Sequence, residues 1–173
     1  MFRLERDTRN HTVLIDDSVV ESVKRRPMGA GIWADLGVLV PGTSDTSDGA
    51  ILAGRSEPNG SPILARIDFS DNELWRVQLP ARAAGIALVE LMDGSSATCL
   101  STVDGVVYLF AECGSLLGTL ELSESAIGGD GVRTPLSAGT SDPAQGWAVV
   151  RVRSGAEVIS IDLSRVEEWK CRR

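Results

Sequence analysis

Histidine is nearly absent from this chain of 173 residues. Only His11 could serve a Ser-His-Asp or Cys-His mechanism, and no G-x-S-x-G elbow accompanies it. It reads as a surface residue of a short strand. Three cysteines, Cys99, Cys113 and Cys171, include no C-x-x-C pair, so neither a zinc site nor a thioredoxin-like motif is supported. Their odd number favours a reducing compartment or a free thiol. No apolar run approaches the length of a bilayer span. Met1 to Ile15 carries charges throughout instead of an apolar signal-peptide core. The expectation is a soluble, cytoplasmic chain without a membrane partner. Positive charge is also short: the net charge of −7 argues against a surface that tracks nucleic-acid phosphates.

What is plentiful is turn chemistry. Eighteen glycines and seven prolines, with little sustained helical periodicity, favour an all-β chain of many turns. Ile51 to Ser56 and Ile63 to Ile67 read as two strands joined through Glu57-Pro58-Asn59-Gly60, Asn-Gly being a hairpin signal because both residues tolerate positive φ. Ile67-Asp68-Phe69-Ser70 follows, then Glu73-Leu74-Trp75-Arg76. The same order returns at Ile161-Asp162-Leu163-Ser164 and Glu167 to Lys170, with Trp169 eight residues after Ile161 as Trp75 is after Ile67. A middle copy pairs Thr98–Ser101 with Val106–Phe110 across Asp104-Gly105. Eight residues after Phe110 it has Gly118 where the others have Trp. A third hairpin, Ala148–Arg153 and Val158–Ile161, turns at Ser154-Gly155.

Upstream of each hairpin lies one more strand and a Gly turn: Val38–Val40 before Gly42, Ile86–Leu91 before Gly94, and Thr134–Ser137 before Gly139. Each copy therefore has four short strands. The copies are spaced 43 and 51 residues apart, measured Trp75 to Gly118 and Gly118 to Trp169, which is the spacing of propeller blades. The segments are 28–80, 81–123 and 132–173, with residues 1–16 as the last two strands of a further blade. The expected fold is an all-β, partial β-propeller of about three and a half four-stranded antiparallel blades, forming one domain.

Ile67 to Arg76 and Ile161 to Lys170 resemble the blade endings of quinoprotein-type β-propellers, the pyrroloquinoline-quinone repeats, in which a hydrophobic–Asp stretch, a turn and a Trp close each blade. Here Asp71-Asn72 and Arg165-Val166 stand where that family has Thr-Gly, and the turn is shorter. The residues that define the repeat are Asp68, Trp75, Asp162 and Trp169, with Gly60, Gly105 and Gly155 at the hairpin turns. Physically, the Asp can accept backbone N–H bonds in the turn, and the Trp can bury a large area against a neighbouring blade.

Propellers close with about four to eight blades, so three and a half leave blade faces and edges to cover. The expected function is accordingly a non-catalytic module for protein binding or scaffolding. It would be part of a larger propeller or a half that pairs with a second half, with no cofactor and no metal. The alternative implied by the resemblance is a fragment of a quinone-dependent dehydrogenase. Many such enzymes carry a vicinal disulfide, and this chain has no Cys-Cys pair. A sugar- or lactone-hydrolysing propeller would need converging metal ligands, which the sequence does not display.

The remaining motifs favour structural readings. Gly29-Ala30-Gly31 does not complete a dinucleotide fingerprint, and Asp45 and Asp48 lack the alternate-residue spacing of a calcium loop. Asp16-Asp17 and Glu167-Glu168 point to opposite faces of any strand. Ser18 to Glu21 fits a capping box before Lys24-Arg25-Arg26, so 18–26 reads either as one or two helical turns or as an extended connection. Ser123 to Val132 reads as a loop on the propeller face.

Overall fold

The computed structural model describes residues 2–6, 12–16, 25–26, 32–42, 48–56, 60–70, 72–91, 94–122, 136–138, 149–154 and 157–162. Among them the regular structure is all β, with no helix and no closed sheet, in antiparallel pairs throughout. The strands divide between two compact units, residues 1–80 and 81–173.

In the first unit, β1 (Phe2–Arg6), β2 (Thr12–Asp16) and β3 (Arg25–Arg26) form one sheet. The pair expected within residues 1–16 thus gains a third strand, with Arg25 opposite Ile15 and Arg26 opposite Leu14. Of the stretch 18–26, Arg25 and Arg26 are described, in this strand; residues 17–24, on which the two readings differ, lie outside the described ones. The second sheet of this unit runs in chain order: β4 (Ile32–Val40), β5 (Gly49–Ser56), β6 (Pro62–Asp68) and β7 (Glu73–Gln78). Its first strand, the edge strand β4, lies nearest β1 and β2.

The second unit repeats this four-stranded meander as β8 (Ala83–Glu90), β9 (Ser96–Thr102), β10 (Val106–Ala111) and β11 (Leu116–Glu121). Its other sheet contains β12 (Leu136–Ala138), β13 (Val149–Ser154) and β14 (Glu157–Asp162), with β12 nearest β8. Three strands of the expected 132–173 blade are described, and the segment carrying Trp169 lies outside.

The two four-stranded sheets agree even in their irregularities. Between the first two strands, the register slips between Ala34 and Leu36 in the first sheet and between Ala83 and Gly85 in the second. Between the last two strands it slips between Arg66 and Ile67, and between Leu109 and Phe110. A bulge puts two residues of one strand against one of its partner and increases the local twist. Matched bulges therefore bend both sheets in the same places. They also align the copies residue by residue: Ile67 with Phe110, Arg66 with Leu109, and Trp75 with Gly118.

Burial explains why the middle strands read as continuous apolar runs. Ile51, Leu52 and Ala53 are successive residues of β5, pointing to alternate faces, and all are buried. The same is true of Leu64 and Ala65, of Cys99 and Leu100, and of Tyr108 and Leu109. Both faces of the central strands are covered, the condition that removes hydrophobic–polar alternation from a strand. The outer strand β7 keeps its alternation: Trp75 and Val77 are half-buried, while Leu74, Arg76 and Gln78 are exposed.

Candidate functional site

The most fully built polar constellation among the described residues is the turn from β6 to β7. Asp68 ends β6, and its backbone N–H donates to the carbonyl of Asn72 at 3.0 Å, closing the hairpin. Its carboxylate then collects three donors. Oδ1 accepts the backbone N–H of Ser70 and of Asn72, each at 2.8 Å, and Oδ2 accepts Asn72 Nδ2 at 2.8 Å. These bonds, led by the Asn72 side chain, hold the carboxyl below its ordinary pKa despite some opposing desolvation. A carboxylate engaged in this way stabilises a turn, and its lowered pKa makes it a weak base toward a substrate.

A second feature locks the same end of the sheet. Gly49 pairs with Asp68 at the start of β5, and a Cβ on Gly49 would lie 2.1 Å from the Ile67 carbonyl oxygen. Only glycine allows that approach. Beside it, the Phe69 N–H donates to the Asp48 carbonyl at 3.3 Å, and Asp48 Oδ1 accepts the Gly42 N–H. Asp48 is thereby engaged in a turn.

Trp75 stands on β7 directly opposite Arg66 of β6, and it is half-buried. Arg66 is 2% exposed, the largest of the fully buried side chains. In the second sheet the equivalent cross-strand pair is Leu109 and Gly118. Asp162 occupies the end of β14 opposite Val149, as Asp68 does on β6 opposite Gly49. Trp169 lies outside the described residues.

Among the hairpin glycines, Gly60 (φ 68°) donates to the Ser56 carbonyl at 2.8 Å within the five-residue connection 57–61. Gly105 (φ 80°) ends a three-residue turn and donates to the Thr102 carbonyl at 3.0 Å. Both hold a left-handed backbone that most side chains resist. At the third hairpin Ser154 pairs with Glu157, and Gly155 lies outside the described residues.

The thiols divide by environment. Burial pushes Cys99 up to about 12, which keeps it protonated and inert. Cys113 is exposed in the β10–β11 turn, 3.2 Å from Ser115 Oγ, and that hydroxyl draws its pKa below the ordinary thiol value. His11 and Cys171 lie outside the described residues. Among the described residues, no three His, Cys, Asp or Glu side chains gather as a metal-holding group.

Sequence reasoning reached Asp68, Trp75, Gly60 and Gly105 through the repeat, and missed Asn72, Gly49 and Arg66. For Asn72 a signal existed: an amide four residues after the strand-end Asp can fold back onto its carboxylate. Arg66 offered none, since one cation inside Ile63–Ile67 looks like a solvated residue on the outer face of a strand.

No protein-family model and no curated protein sequence matches this chain.

Proposed function

We propose that the chain is a non-catalytic repeat module of the β-propeller type, similar in plan to the quinoprotein repeats. In this reading it binds or scaffolds protein, either as a self-associating half or as part of a larger ring. The observation that carries the reading is the matched pair of four-stranded meanders, bulged at equivalent places and covered on both faces of their central strands. Small sheets of this kind are stable only when neighbours cover them, so an incomplete ring of blades exposes terminal faces that invite a further module. The polar groups best defined in the structure, Asp68 and Asn72, are engaged in holding a turn. The module acts in solution, in the cytoplasm; among the described residues no helix is long and apolar enough to cross a membrane.

Light scattering on the purified chain tests the pairing. A particle of twice the 18.4 kDa chain mass or more supports it, and a cooperatively folded monomer at tens of micromolar overturns it. Titration with pyrroloquinoline quinone and calcium, followed by absorbance, tests the catalytic alternative, because saturable binding would replace the scaffold reading with the dehydrogenase one.

A further inference from the structure

We draw no further inference here: the strongest candidate, the buried Arg66 guanidinium on the face of the β4–β7 sheet that also carries Trp75, yields no ligand or partner because nothing in the structure shows what covers that face.

Discussion

The β6–β7 turn and the β10–β11 turn have the same length, close with the same backbone bond and follow the same bulge, yet they are held by different chemistry. In the first, Asp68 N–H donates to Asn72, and the Asp68 carboxylate gathers Ser70 and Asn72. In the second, Ala111 N–H donates to the Ser115 carbonyl at 2.8 Å, and no carboxylate stands at the Asp68 position. This turn carries Gly114 instead, whose φ of 84° is left-handed and whose N–H donates to the Ala111 carbonyl at 2.9 Å, while the Cys113 thiol lies 3.2 Å from Ser115 Oγ. In both turns a local partner meets backbone groups that a tight turn leaves exposed, a carboxylate in the first and a carbonyl in the second.

The strands flanking the turns differ in a complementary way. Where the first sheet sets Arg66 against Trp75, the second sets Leu109 against Gly118. Placing Arg at the second position should have the largest effect. Leu109 is fully buried, and Leu109→Arg would strand a cation among aliphatic neighbours at a cost of about 4 kcal/mol or more. Loss of the cooperative thermal transition is expected. A variant with near-native melting would show that the two positions share an environment after all.

Next come the residues opposite the two turns. Gly49→Val drives a side chain into the Ile67 carbonyl and should cost about 3 kcal/mol in urea unfolding, as overpacking against backbone does. The equivalent Ala97, opposite Ala111, already carries a Cβ, so Ala97→Gly should cost only about 1 kcal/mol. Equal losses would contradict the close approach at Gly49.

Asp68→Ala should cost about 1 kcal/mol, since the turn is solvent-facing and water replaces part of what is lost. Its pH dependence is more specific. The folded carboxyl lies below the ordinary aspartate pKa, so its contribution is present above that ordinary value and fades as pH falls through the depressed native value. Between about pH 5 and pH 3, wild type should lose more stability than Asp68→Ala. Parallel profiles in urea melts would remove the carboxylate from the account.

The smallest effect belongs to Glu73 and Arg76. They form an exposed ion pair on β7, reinforced by Arg76 Nε to Glu73 Oε2 at 2.9 Å. Arg76→Ala should shift stability by under about 0.5 kcal/mol, and that shift should shrink further in molar salt. A larger loss would mark β7 as more than a solvated outer strand.

Much of the strand plan was legible because it depends on local chemistry. Apolar runs of strand length, interrupted by Gly60, Gly94 and Gly105, locate most of the eight strands of the two complete sheets, and counting eight from Phe110 to Gly118 anticipates the register that the bulges between the last two strands show. β3 was not legible, because two arginines carry no strand pattern and are extended only through pairing with β2. Nor was the burial of Arg66, which depends on what lies over the sheet. Trp75 illustrates the division within one residue: its place on the outer strand follows from the repeat, while its half-buried state does not.

Composition and turn spacing alone, then, determined the all-β character of the described residues and the two four-stranded meanders, because hairpin residues and apolar runs act over a few positions of backbone. The tertiary structure decided where the bulges fall, which backbone meets Gly49, and which donors reach Asp68. Each of these depends on atoms brought together across strands, and no short window of sequence contains both partners.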